Sequence, residues 1–304
     1  MDKILLFTSQ DVGNDVISGF QRRKNTELVV VTQRTLRDEI YGYRSSIDYC
    51  ARKRIRCLTP DKLDDSFIET VATLAPDIIV DAYYPKIFPS RLLKIPPRGC
   101  INVHPGLLPH YRGKFPTPWC ILNEEKDFGV TIHRLDSGID TGDMLVQRRY
   151  PIGDDETGHE LYLRAMKRCG EFLLEQFDGI FSGKIKARPQ APGGSYYNRI
   201  EHQFRIDWQQ PRRHVRNRIR VHARPYFPAH SFLFNSCLLI NRASFYEPEG
   251  YRSLGPGLIC EVLADKTFAV SCADGCLRVE DYEVCPRLTM KQFKLQLQVG
   301  ARLT

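Results

Sequence analysis

The chain has 304 residues, a formal net charge of +8, and 42% hydrophobic against 26% charged residues. That balance describes an ordinary globular protein and excludes a disordered or fibrous one. No apolar run approaches the ~20 residues a membrane-spanning helix needs. The start, Met1 to Thr8, lacks the basic region and cleavage site of a signal peptide, so a cytoplasmic location is expected.

Lys3 to Thr8 and Glu27 to Thr32 are short apolar runs of the kind that form buried parallel strands. Between them, Asp11 to Lys24 carries Val16, Ile17 and Phe20 at helical spacing and predicts a crossover helix. Further helices are predicted over Ser45 to Lys53 and Leu63 to Leu74, with a strand at Ile78 to Val80. Alternating strands and helices predict an α/β, Rossmann-like, mostly parallel sheet. The first turn, Thr8 to Asn14, holds one glycine where Gly-x-Gly-x-x-Gly would be needed, which argues against a dinucleotide-binding oxidoreductase.

Gly99 to Gly113 organises the rest of the chain. Cys100 to His104 predicts a strand ended by Pro105-Gly106. Side chains alternate along a strand, so Asn102 and His104 share one face with Cβ atoms roughly 7 Å apart. Gly129 to Gln147 then predicts a strand, a glycine-rich loop and a second strand, with Asp140 between Gly138 and Gly142. An Asn, a His and an Asp brought together suit acyl-group chemistry. The amide and an imidazolium donate to a developing oxyanion, while the carboxylate orients the imidazole and helps move a proton. Singly, each residue has a duller role as a turn cap, a buried histidine or an Asx-turn residue.

Asp154 to about Ser182 predicts a long helix whose buried stripe is Leu161, Ala165, Cys169, Phe172, Leu173 and Phe177. Ala187 to Ser195 is rich in proline and glycine and marks a boundary. The expected division is a catalytic domain over 1–190, a linker over 191–204 and a small domain over 205–304. Short apolar runs at 237–240, 257–262, 267–271 and 276–279 predict a small β-barrel in the last part.

Two arginine-rich stretches, Arg52 to Arg56 and Arg212 to Arg220, concentrate the positive charge. The second has Val215 and Ile219 at helical spacing, leaving its arginines on the exposed side. Three readings stand open for it: a solvated helix face, a surface for a nucleotide phosphate, or a surface for tRNA. The ten cysteines form no Cys-x-x-Cys pair, and Cys272 and Cys276 flank a hairpin turn, Ala-Asp-Gly. Reduced thiols and no metal are expected.

Asn102-x-His104-Pro-Gly-Leu-Leu-Pro-x-Tyr-Arg-Gly, followed by Gly129-Val-Thr-Ile-His and Asp136-Ser-Gly-Ile-Asp-Thr-Gly-Asp, resembles the folate-dependent formyltransferase family. That family includes glycinamide ribonucleotide, methionyl-tRNA and nucleotide-linked amino-sugar formyltransferases. The tail, with Asp274 to Val279 and Met290-Lys-Gln-Phe to Leu303, resembles the small OB-like barrel that follows the catalytic domain in the last two. The resemblance implies 10-formyltetrahydrofolate as donor and a primary amine as acceptor, with Asn102, protonated His104 and Asp140 as catalytic residues. It places the pterin between the loop carrying Lys86, Ile87 and Phe88 and the loop carrying Leu135, Asp136, Gly138 and Ile139. Tyr111 and Arg112 are candidates for a substrate phosphate, the latter equally for a loop-stabilising ion pair, and Trp119 for stacking on a base. His110, His133 and His159 are expected in surface or structural roles.

The acceptor is the open point. Phe7 to Gly13 departs from the start of the methionyl-tRNA members, and Ser45 to Arg52 and Pro118-Trp119 look closer to the sugar-nucleotide members, so a dTDP- or UDP-linked 4-amino-4,6-dideoxysugar is the expected partner. Initiator tRNA is the alternative, followed by a hydrolase acting on the same folate and by a non-catalytic RNA-binding protein. Homodimer formation is left open, and no membrane partner is expected.

Overall fold

The computed structural model describes residues 1–33, 45–200, 204–234, 236–249, 255–265, 267–285 and 297–304. The resemblance drawn from Met290 to Phe293 lies outside them. In chain order the first elements are β1 (Asp2–Thr8), α1 (Gln10–Gln21), β2 (Thr26–Val31), α2 (Ser46–Lys53), β3 (Arg56–Leu58), α3 (Asp65–Leu74), β4 (Ile78–Ala82), α4 (Ser90–Leu93) and β5 (Cys100–His104). They are followed by β6 (Arg112–Gly113), α5 (Pro116–Leu122), β7 (Asp127–Arg134), β8 (Met144–Pro151), α6 (Gly158–Phe181) and β9 (Tyr196–Tyr197). The remainder is α7 (Arg212–His222), β10 (Ala229–Leu233), β11 (Ser236–Tyr246), β12 (Ile259–Val262), β13 (Phe268–Ser271) and β14 (Cys276–Val284).

Helix boundaries follow local chemistry. Ser45 caps α2 by accepting the Asp48 N–H, and Asp64 caps α3 by accepting the Phe67 N–H. Strand β3 escapes prediction because three residues, Arg-Cys-Leu, are too few to establish a period.

The chain divides into two compact units. The first holds Met1–Thr117, Asp127–Pro151 and Leu163–Asn198; the second holds Pro118–Lys126, Ile152–Tyr162 and Arg199–Thr304.

In the first unit seven strands run in the order β3-β2-β1-β4-β5-β7-β8. Pairings from β3 to β5 are parallel, while β7 is antiparallel to both β5 and β8. On one face Leu5, Phe7, Val31, Ile79 and Cys100 pack with Phe67, Ile68 and Val71 of α3. Phe20 of α1 and Phe177 of α6 meet edge-on at 4.7 Å between ring centroids. The stripe predicted for α6 is buried throughout.

The register places chemistry at the carboxyl end of β5. Asn102 lies opposite Asp81 on β4 and opposite His133 on β7, and His104 lies opposite Thr131. Residues opposite one another on adjacent strands point to the same face, so the β5–β7 pairing itself brings His133 beside Asn102.

The second unit is built on a five-stranded antiparallel sheet in the order β10-β11-β14-β13-β12. Leu303 bridges to Leu233 on one edge strand, and Arg302 bridges to Leu258 beside the other, which closes the sheet toward a barrel. Its core contains Trp208, Val215, Ile219, Leu238, Ile240, Phe268, Leu277 and Val279.

The predicted exposed face of α7 proves to be largely engaged within this unit. Arg212 pairs with Glu247, Arg216 pairs with Asp155, and Arg220 donates to the carbonyls of Gly153, Asp154 and Glu156. Burial lowers the Arg220 pKa to about 10, with Arg216 adding repulsion. Arg216 is only 9% exposed. These three arginines are thus engaged by groups of their own unit, while Arg213 of the same helix is exposed.

Candidate active site

Thr131 and Gln147 hold the turn that follows β5. The Thr131 hydroxyl donates to Gly106 O at 2.6 Å, and the Gln147 amide donates to Leu108 O at 2.9 Å. The turn needs glycine at 106, because a Cβ there would stand 2.7 Å from both His104 Nε2 and Tyr111 O. His104 is thus free to lie against the chain and donate Nε2–H to Tyr111 O at 2.6 Å. A carbonyl can only accept, so the proton of a neutral His104 sits on Nε2 and leaves a lone pair on Nδ1.

That Nδ1 faces Asp140 Oδ2 at 3.6 Å. The second oxygen, Oδ1, stands 3.5 Å from His133 Nε2 and accepts from Asn102 Nδ2 at 3.4 Å. Asn102 Nδ2 also lies 3.2 Å from His133 Nε2. His133 Nδ1 donates to Arg134 O at 2.8 Å, so the Nε2 of a neutral ring accepts the Asn102 amide hydrogen. The structure thus brings Asn102, His104 and Asp140 together and adds His133, fully buried, as a fourth member. Sequence reasoning set His133 aside because only the register of β7 on β5 reveals its neighbours. Its alternation with Thr131 along the predicted strand was the one available signal.

Two residues that touch His104 adopt left-handed backbone without being glycine: Tyr111 at φ 62° and Asp140 at φ 54°. Such conformations cost of order 1–3 kcal/mol and persist only where surroundings enforce them. For Asp140 the Gly113 N–H donates to Oδ2 at 2.8 Å, and Gln190 Nε2 donates to Asp140 O and Gly142 O, each at 2.8 Å. Gly142 itself has no room for a side chain, since a Cβ would strike Arg134 O.

Burial is the largest influence on both titrating partners. It pulls the His104 pKa below the ordinary 6.5, and the pull of Asp140 and the Tyr111 carbonyl does not restore it. Burial thus favours the neutral ring, while Asp140 pulls, as the sequence suggests, toward the protonated one. For Asp140 burial pushes upward, but His104, His133 and the Gly113 N–H outweigh it and hold the carboxyl well below the usual range. A neutral base beside a permanent carboxylate can take up a proton and be stabilised once charged.

The remaining candidates are distributed as follows. Lys86 is engaged by the carbonyls of Pro60 and Asp61, and Phe88 is core beside Phe7 at 4.6 Å. Asp136 forms the loop's own turn, accepting from Gly138 N and the Thr141 hydroxyl. Leu135 packs at the margin of the β-sheet core. Ile87 and Ile139, one on each of the two loops, are 73% and 52% exposed. Tyr84 is buried, and its hydroxyl has no hydrogen-bond partner among the described residues. Tyr111 stacks on Tyr197 at 5.1 Å, and Arg112 is buried against Gln190 and Tyr196. Trp119 belongs to the second unit. Among the described residues no group of three or more His, Cys, Asp or Glu is placed to hold a metal ion.

The mostly parallel sheet thus brings the amide and imidazole of β5 beside a buried carboxylate from the loop between β7 and β8, a set of groups of the kind that acyl transfer uses. Residues 9–176 match the formyl transferase family and residues 199–296 match the family of its C-terminal domain. The chain belongs to the formyl transferase family. It is 37% identical to the methionyl-tRNA formyltransferase of Pelobacter propionicus, over 76% of this chain and 71% of that one. Its identity to the same enzyme of Geobacter sulfurreducens is 32%, over 82% and 77% of the two chains. An N-formyltransferase of Helicobacter canadensis, solved with folinic acid and dTDP-3-aminofucose, shares the fold at TM-score 0.75 and 20% identity, covering 93% of this chain and all of that one.

Proposed function

We propose that the protein moves a formyl group from 10-formyltetrahydrofolate to the amino group of a nucleotide-linked 4-amino-4,6-dideoxysugar. The carrying observation for the chemistry is the cluster at the end of β5, where the Asn102 amide and His104 Nδ1 both face the Asp140 carboxylate. The folate supplies an electrophilic formyl carbon when bound, held by the loops bearing Ile87 and Ile139.

The Asn102 amide donates to the formyl oxygen as negative charge builds there, exchanging its long bond to Asp140 for that contact. His104 Nδ1 receives the proton that the attacking nitrogen must lose, and Asp140 stabilises the resulting imidazolium at 3.6 Å. The proton then passes to the folate nitrogen as its bond to the formyl carbon breaks and tetrahydrofolate leaves. Tyr111 O keeps the ring oriented through Nε2–H.

For the acceptor, the state of α7 favours the sugar. Arg212, Arg216 and Arg220 already satisfy acidic groups and carbonyls of the same unit, which removes most of the basic stripe that a tRNA surface would use. Methionyl-tRNA is the second reading, favoured by 37% identity to a methionyl-tRNA formyltransferase. The test is a competition: 10-formyltetrahydrofolate is offered together with a dTDP- or UDP-linked 4-amino-4,6-dideoxysugar and charged initiator methionyl-tRNA. Mass spectrometry then reads which gains a formyl group. Formylated sugar with unchanged tRNA is the expected result; formylated tRNA alone overturns the sugar assignment. Formate with neither acceptor altered would identify a hydrolase.

A further inference from the structure

Arg112 is a buried guanidinium whose described hydrogen bonds all go to neutral groups. Its Nη2 and Nε donate to Gln190 Oε1 at 2.6 and 3.2 Å, and its Nη1 donates to the Tyr196 hydroxyl at 3.2 Å and to Gly193 O at 3.5 Å. The Tyr196 ring also lies beneath it at 5.3 Å. An arginine carries donors only, so the end of the Gln190 amide facing it must be the oxygen. That removes the usual ambiguity in an amide's orientation. The nitrogen end is thereby turned toward Asp140 O and Gly142 O, two groups that can only accept, and it reaches both at 2.8 Å.

We propose that Gln190, oriented by Arg112, is a positioning residue that holds Asp140 in its left-handed conformation and so keeps the carboxylate aimed at His104. Three observations converge on it. Asp140 has φ 54°, a left-handed conformation that aspartate adopts more readily than most residues but that still needs local partners to hold it. The loop from Asp136 to Gly142 is fixed at its far end by Gly142, packed against Arg134 O without space for a Cβ. Gln190 supplies two hydrogen bonds to that loop's backbone, one to Asp140's own carbonyl and one to the carbonyl of Gly142 two residues on, which fixes the chain as it leaves Asp140. The same stretch also holds the segment that orients His104, since Ser195 accepts the Tyr111 N–H at 3.0 Å through its hydroxyl and the Arg112 N–H at 2.9 Å through its carbonyl.

The inference rests on Asp140 being catalytic, and the test separates the two. Gln190→Glu keeps an acceptor for Arg112 but has no donor for the two carbonyls. Release of tetrahydrofolate from 10-formyltetrahydrofolate, common to transfer and hydrolysis, is measured for wild type, Gln190→Glu, Gln190→Met and Asp140→Asn. Wild type receives the acceptor that it formylates in the competition above. A slight misplacement of a reacting group costs up to about 100-fold, so kcat of Gln190→Glu should fall at least about tenfold. KM for donor and acceptor should stay within about twofold and the melting temperature near wild type, because Arg112 remains paired. Gln190→Met, which tests the same loss should the glutamate variant not fold, should fall as far in kcat.

A folded Gln190→Glu with wild-type kcat overturns the proposal. So does a loss of kcat matched by a rise in KM or a collapse in melting temperature, which would mark a general structural role. Wild-type turnover in Asp140→Asn would instead overturn the catalytic assignment, whatever Gln190 does.

Discussion

At the scale of single residues, the site depends on where protons sit. Burial holds the His104 pKa below its ordinary 6.5, so the acid limb of the kcat/KM profile should fall below that value. A limb at or above 6.5 would show a ring that is charged at rest. Asn102→Ala removes the oxyanion donor, at about 3–4 kcal/mol of transition-state stabilisation, and should lower turnover by roughly two to three orders of magnitude. Near-wild-type turnover in a folded Asn102→Ala variant would refute that role. Asp81, opposite Asn102 on β4, makes a different prediction. Burial raises its pKa to about 8, while the Tyr84 N–H opposes and the Asp140 charge adds to the rise. In the unfolded chain the same carboxyl ionises near pH 4. Between those values the folded state binds the extra proton, so this stability is complete below about pH 4 and lost as pH rises toward about 8. Asp81→Asn keeps an acceptor for Tyr84 N–H and cannot ionise. Its melting temperature should therefore gain on wild type progressively between about pH 5 and pH 8, and a constant difference would refute the shift.

At the scale of elements, two pairings decide what the side chains can do. The antiparallel docking of β7 on β5 sets His133 against Asn102, where a one-residue slip would turn His133 to the opposite face. Helix α7 shows the same principle in the second unit. Its sequence is that of a solvent-facing basic stripe, yet Arg216 and Arg220 close over the segment from Gly153 to Glu156. Arg216→Ala abandons the Asp154 carbonyl and the contact with Asp155, a carboxylate that is itself 93% exposed in its side chain. Discounting the exposed partner, the loss should be about 1–3 kcal/mol by urea unfolding, most of it from the buried donor's hydrogen bonds. An unchanged midpoint would return Arg216 to the solvated class.

At the scale of the whole molecule, each unit has its own hydrophobic core. Both tryptophans, Trp119 and Trp208, belong to the second unit, so tryptophan fluorescence reports on that unit. Leu277 is fully buried in the core that contains Trp208. Leu277→Ala should cost about 2–5 kcal/mol in an unfolding curve followed by tryptophan emission. A change below about 1 kcal/mol would mean that the barrel interior relaxes around the lost volume.

The local pattern of residues was sufficient for the parallel strands, the crossover helix α1, the stripe of α6 and the ordered trio Asn102, His104 and Asp140. Those features follow from periodicity, turn chemistry and motif order, all of which act over neighbouring residues. Other features depended on groups distant in the chain. His133 entered the site through strand register, Gln190 through two loop carbonyls, and Arg216 and Arg220 of α7 found partners more than sixty residues away. The pKa of His104 is likewise pulled down by burial that only the tertiary structure creates. Its neighbours in sequence favour neither form, whereas desolvation inside the folded unit penalises the charged one more than Asp140 rewards it.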